Sequence, residues 1–215
     1  MKLEVAKKIQ GFTLTGGYLF AMCSGAETFD IALAAEGVDI VESMYDGDGM
    51  DPQAQQKLDF SKTFAFTDFI LDPPNSRRFS NINTSEGRRY YYDESSGYFS
   101  LFDFSAKWDI VPSLLTQNHT AIVKSFFGQT TAFSAPTVKS DVLILGENAD
   151  DGEVRYIYGE MGYCHWTFYS GHDPERSPGG WREQTNLDLY PNSPGYRLIL
   201  NNVLFPSAQK KKQKT

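Results

Sequence analysis

The sequence predicts a three-layer α/β domain on a mostly parallel sheet, and three observations carry that prediction. A short apolar run over residues 18–22 is followed at once by a helix-patterned segment over 27–36. The continuous apolar run at 142–145 has the character of a strand buried on both faces. Ser193 and Pro194 open a closing helix, as a good N-cap and a good first helical residue.

The elements follow in order. Leu3, Val5, Ala6 and Ile9 give residues 2–10 a helical stripe that Gly11 could stop. Gly16-Gly17 turns the chain into the first strand. The helix over 27–36 offers Phe29, Ile31, Ala32, Leu33 and Ala35 to a core, and Gly37 suits its left-handed end. A second short strand is expected at 38–41. Residues 42–135 are rich in aromatics, Asp, Asn and Ser, with little helical period beyond 51–58. They read as a long β-rich insertion, with short strands at 63–66 and 98–102. Linkers are rarely so aromatic. The 142–145 strand is followed by an alternating segment at 153–160, a turn at Gly162 and a returning strand at 165–169. The last helix presents Leu198, Ile199, Val203 and Leu204. The reading is one domain over 1–215.

Bulk properties narrow the function. A net charge of −7 over 215 residues argues against a nucleic-acid surface. The basic run at 210–214 reads as a solvated tail. No apolar run is long enough to span a membrane, and residues 1–8 lack the apolar core of a signal peptide. Two cysteines are too few for a disulfide scaffold or a structural zinc site. In the acidic loop at 46–51, Met50 and Asp51 occupy positions five and six of a would-be calcium loop, with Lys57 at twelve, so that pattern fails. No metal and no cofactor are expected, and compartment is left open.

Chemistry concentrates at two strand ends. Cys23 lies between the first strand and its helix, with Ser24 and Gly25 behind it. A cysteine on such a turn projects above the sheet, beside the N–H groups of a helix start, which favour an anion. That is the context of a nucleophile elbow; the competing reading is a small core residue. Gly171-His172-Asp173-Pro174-Glu175 follows the 165–169 strand. His172 could act as base to the thiol, oriented by Glu175 or Asp173, with Gly171 lining the pocket. Alternatively the segment is an ordinary turn. His119 has polar neighbours and could line a pocket; His165 reads as an alternating strand residue. Arg88-Arg89-Tyr90-Tyr91-Tyr92 could hold an anion or a sugar, or form an aromatic strand edge.

Those residues resemble the class I glutamine-amidotransferase-like fold, especially its trehalose-utilisation (ThuA-like) branch. The resemblance lies in the hairpin at 159–162, the aromatic strand 166–169 and the turn at Gly171-His172-Asp173. Over essentially the whole chain, GYLFAMCSGAETFDIALAAEGVDI, LFDFSAKWDIVP, GQTTAF and NSPGYRLILNNVLFP resemble the C-terminal half of a bacterial family labelled asparagine synthetase B. The resemblance implies a flavodoxin-like sheet whose first strands lie upstream, so the chain is expected to be a C-terminal fragment that needs its other half or self-association. It implies Cys23 as nucleophile, His172 as base, Glu175 or Asp173 as acidic partner, and the Ser24 N–H beside Gly25 as an oxyanion donor. Ala21 stands where the elbow has its first Gly, and Asp173 adds a residue to the His-Pro-Glu pattern. Ser24-Gly25-Ala26-Glu27-Thr28 lacks the second Gly and the Asp of an ATP-binding synthetase loop, so an adenylating reaction is not expected. The implied function is a Cys-dependent amide or ester hydrolase or transferase on an unknown small molecule. The alternative is a non-catalytic module that binds carbohydrate or a partner protein.

Overall fold

The computed structural model describes residues 1–73, 76, 78–84, 98–102, 114–115, 120–162, 164–175 and 186–207. In chain order its main elements are α1 (Leu3–Leu14), β1 (Leu19–Met22), α2 (Ser24–Ala34), two single turns α3 (Ser43–Asp46) and α4 (Ala54–Lys57), then β2 (Tyr98–Leu101), β3 (Ile122–Lys124), β4 (Phe133–Ser134), β5 (Leu143–Asn148), β6 (Glu153–Met161), β7 (Cys164–Tyr169) and α5 (Pro194–Leu204).

Six strands lie side by side in the order β1-β7-β6-β5-β2-β3, and β4 also pairs with β6. The sheet is mixed, which corrects the expectation of a mostly parallel one. Among the described strands only β1 and β7 pair in parallel. The reason is connectivity: β5, β6 and β7 are joined by turns at Gly152 and Gly162, too short for the crossover that parallel neighbours need. Two antiparallel steps separate β7 from β5, so β1 and β5 still run the same way. β5 is interior as expected, but β1 ends the described order.

Register sorts side chains onto two faces. Leu19 and Ala21 align with Trp166 and Phe168; Phe20 and Met22 align with Thr167 and Tyr169. Trp166 and Phe168 join Ala6 of α1 and Phe29, Ile31 and Leu33 of α2 in one core. Tyr156, Tyr158 and Tyr169 join Leu198 of α5, Phe99, Val123 and Leu145 in the other. Helices thus cover both faces. Burying two such faces is what makes β6 almost wholly inaccessible despite its alternating sequence.

Residues 42–135 are no appendage where they are described. They supply β2, β3 and β4 to the common sheet and Phe64, Phe66, Phe69 and Phe133 to the first core. The strand expected at 63–66 does not form. Its N–H groups are taken instead by Asp30 of α2, whose carboxylate accepts from Phe64, Ala65 and Phe66 at 2.8, 2.7 and 2.9 Å. Residues 38–41 form no strand either. α1 runs through Gly11 to Leu14 before Gly16, at φ 108°, turns the chain. α5 begins as predicted, with Ser193 Oγ accepting from the Tyr196 N–H at 3.3 Å. Its buried face is Leu198, Asn201 and Asn202; Val203 and Leu204 are exposed. Asn202 is inside because Tyr18 and Thr167 both donate to its Oδ1 at 2.6 Å, so a polar side chain there is satisfied.

Candidate functional site

Because β1 and β7 are parallel neighbours, the residues that leave their C-terminal ends emerge side by side. Cys23 leaves β1 and the Ser170-Gly171-His172 turn leaves β7. The Cys23 N–H donates to the Tyr169 carbonyl at 2.8 Å, a last rung of the ladder. The backbone then turns sharply, with Cys23 at φ 56° and ψ −140°. A residue with a Cβ holds such a conformation only at a cost of about 1–3 kcal/mol. Only Asp68 shares a positive φ among the described non-glycine residues. α2 starts at the next residue, so Ser24 and Gly25 lie in the turn whose N–H groups have no intrahelical partner. A Cβ at Gly25 would meet nothing, so no close approach demands that glycine.

A third segment closes over the sulfur. The Gln129 and Thr130 N–H groups both point at Cys23 Sγ, at 3.1 and 3.4 Å. This segment is pinned to the β7 turn by four backbone bonds: Phe127 N–H to the Asp173 carbonyl and His172 N–H to the Phe127 carbonyl, both 2.7 Å, Asp173 N–H to the Phe127 carbonyl, 3.2 Å, and Gly171 N–H to the Thr130 carbonyl, 2.6 Å. Two glycines make the approach possible. A Cβ on Gly128 would lie 2.6 Å from Cys23 Sγ and 3.2 Å from His172 Cδ2. The sum of those two distances is the greatest separation the sulfur and that ring carbon can have, so thiol and imidazole share one gap. Gly171 sits at φ 78°, and a Cβ there would strike the Phe126 carbonyl oxygen at 2.5 Å. Cys23 is 6% exposed, whereas the His172 side is open to water.

Behind the sulfur lies Glu27, one turn into α2 and wholly buried. Its Oε2 accepts from the Thr130 hydroxyl at 2.7 Å and its Oε1 from the Ser80 hydroxyl at 2.8 Å. Burial pushes this carboxyl above the usual glutamate range, and the Thr130 and Ser80 hydroxyls pull it part of the way back. Asn83 Nδ2 donates to the Gln129 carbonyl at 3.1 Å, which steadies the same segment.

The structure thus brings Cys23, Ser24, Gly25, Gly171 and His172 together. It treats the two acidic partners differently. Asp173 Oδ1 accepts from the Glu175 N–H at 3.2 Å and from the Tyr196 hydroxyl at 3.3 Å. Glu175, nearly buried, faces Lys124 Nζ at 3.7 Å. Neither carboxylate hydrogen-bonds the His172 ring among the described residues. Glu175 and Lys124 instead line an open groove of about 340 Å³ with Tyr190, Ser193 and Pro194. His119 and the 88–92 run lie outside the described residues. His165 Nδ1 meets the Tyr158 hydroxyl at 2.6 Å, on β7 itself rather than at its end. In the acidic loop, Asp39, Asp46 and Asp48 bring oxygens within 4.8 Å of one another. Asp51 turns away to Lys57, whose ammonium holds its carboxyl below the usual range.

Sequence reading missed Glu27, Gly128, Gln129 and Thr130. Glu27 had a signal, being an acid one helical turn beyond the cysteine. The 128–130 stretch had only its Gly and its polar run, because its partner is 106 residues away in sequence. Compared with family models, with curated proteins and with solved structures, the chain finds no match in any of the three.

Proposed function

We propose that this chain is a cysteine-dependent, amidotransferase-like enzyme that transfers or hydrolyses the acyl group of a small amide or ester. One observation carries the reading: a strained strand-end cysteine whose sulfur accepts two backbone N–H groups while an imidazole flanks the same gap. N–H groups aimed at sulfur favour its anionic, nucleophilic form.

The chemistry follows from those positions. His172 takes the thiol proton and Cys23 Sγ attacks the carbonyl carbon. The carbonyl π pair moves onto oxygen, where the Ser24 N–H at the start of α2 is the nearby backbone donor. Collapse expels the amine or alcohol, which receives the proton from His172. A water, deprotonated by His172, then releases the acid from the thioester, or an acceptor amine takes its place. The exposed ring can exchange its proton with solvent between the steps.

The test is to trap the thioester. The chain is pulsed with p-nitrophenyl acetate, quenched in acid and mapped by mass spectrometry. Acetyl on Cys23 is expected, absent in Cys23→Ser and slowed about 10²-fold in His172→Ala. Ammonia release from glutamine tests the amidotransferase branch in the same preparation. Acetylation confined to lysines, or a rate unmoved by His172→Ala, sinks the enzyme reading and leaves a binding module.

A further inference from the structure

We infer that Thr130, held by buried Glu27, is the positioning residue that fixes the amide nest on Cys23 and ties it to the loop carrying His172. The inference rests on Cys23 being the reactive thiol of the proposed function, and it adds residues that the elbow and the histidine turn do not contain.

Every polar group of Thr130 is committed to a different part of the site. Its N–H reaches Cys23 Sγ at 3.4 Å. Its hydroxyl donates to Glu27 Oε2 at 2.7 Å. Its carbonyl accepts the Gly171 N–H at 2.6 Å, one residue before His172. Thr130 is wholly buried, as is Glu27. A hydroxyl–carboxyl bond removed from water costs its full desolvation when one partner is deleted, so this contact specifies rotamer and backbone together. Glu27 has an independent anchor in Ser80, so it is a fixed post and not a follower of Thr130. It also sits in the first turn of α2, the helix that Cys23 caps. Helix, nest and histidine loop therefore form one closed circuit: Cys23 just before α2, Glu27 within it, Thr130 opposite, Gly171 beside it. The Thr130 hydroxyl closes that circuit without touching the sulfur.

Two features separate positioning from simple stability. Thr130→Val keeps volume and the backbone N–H but removes the hydroxyl that orients it. Thr130→Ser restores the hydroxyl and removes only a methyl. The readout is the rate of Cys23 carbamidomethylation by iodoacetamide across pH 5–10, followed peptide by peptide on the full chain. Thr130→Val is expected to slow the neutral-pH rate about threefold to tenfold, the weight of one hydrogen bond, and to move the whole pH profile upward. Thr130→Ser is expected to return both rate and profile to near wild type. The Val and Ser pair decides alone, because Glu27→Ala would also remove an acidic group whose charge opposes the thiolate. A Thr130→Val profile superimposed on wild type, with only the melting temperature lowered, would overturn the inference and make Thr130 a packing residue. So would a Ser variant that behaves like Val. Because alkylation needs no substrate, a negative thioester trap with a shifted alkylation profile would defeat the enzyme reading and leave this one standing.

Discussion

Cys23 can hold its strained turn because neighbours on both sides consume its backbone and its sulfur: Tyr169 takes the N–H, while Gln129 and Thr130 address Sγ. Cys164 makes the contrast. It too is buried, but it lies in β7 with ordinary strand geometry, and its sulfur accepts one N–H, from Gly16 at 3.2 Å. Limited treatment with iodoacetamide near neutral pH should therefore label Cys23 first, and His172→Ala should slow that labelling. Preferential labelling of Cys164 would return Cys23 to the core. Gly128 gives a sharper handle, since a methyl there overlaps the sulfur at 2.6 Å. Gly128→Ala should displace the 128–130 segment and cut Cys23 labelling, while Gly25→Ala, whose Cβ meets nothing, should leave it within about twofold. At this scale Cys23 and His172 were legible because each follows an apolar strand, a local signal. The nest was not, because which backbone N–H groups face a sulfur depends on how a distant loop docks. The other contacts of the two acidic residues were illegible for a related reason. Sequence proximity put Asp173 and Glu175 beside His172; Asp173 also accepts from the Tyr196 hydroxyl and Glu175 also faces Lys124, side chains that arrive from other elements.

Among the elements, α2 does the most to organise the fold, through its polar residues as much as its apolar face. Asp30 replaces a strand partner for residues 64–66 by accepting all three N–H groups. Burial pushes its carboxyl up to about 6, against the pull of those three donors. The folded state therefore holds the Asp30 proton more tightly than the unfolded chain, whose aspartate titrates near 3.8. That contribution favours the fold fully below the unfolded value and is lost as pH rises through about 6. Asp30→Asn removes the titration and turns an amide N–H₂ toward backbone donors, at about 1–3 kcal/mol near pH 7. In urea titrations the gap between wild type and Asp30→Asn should narrow by about 2 kcal/mol from pH 4 to pH 7. A gap that widens with pH would show that the three N–H bonds outweigh burial. This also explains where element reading failed. Thr63-Phe64-Ala65-Phe66 has strand composition, but a buried carboxylate competed for the N–H groups of its last three residues. β5, β6, β7 and the start of α5 were legible because apolar runs, a turn glycine and an N-cap serine are local in cause. Their antiparallel pairing follows from turn length, which outweighed the apolar run taken as a sign of parallel burial.

At the scale of the whole molecule, one sheet carries two cores, and no strand of the central hairpins belongs to only one. On β7, Trp166 and Phe168 enter the core under α1 and α2, and Tyr169 enters the core under α5. On β6, Ile157 enters the first and Tyr156 and Tyr158 the second. Tyr156 and Tyr169 stack face to face at 3.9 Å, while Phe168 meets Phe29 edge-on at 6.1 Å on the opposite side. Losing packing on one face must loosen the strands that form the other. The described halves should therefore unfold together, although residues 42–135 had read as an insertion. Phe168→Ala empties the first core and Leu145→Ala the second; each side chain is wholly buried, and each change should cost about 2–5 kcal/mol. The decisive point is what the probes do. In urea, far-ultraviolet circular dichroism follows the backbone, and near-ultraviolet dichroism follows the aromatic side chains of both cores. The two curves should coincide in the wild type, and each variant should move both by the same amount. Cys23 alkylation in urea should accelerate at that same midpoint, since the nest on its sulfur depends on β1, β7 and the 128–130 segment staying in place. A Leu145→Ala chain that loses near-ultraviolet signal early while Cys23 stays protected would mean that the two faces fold separately, and that the site depends on α2 and its core alone.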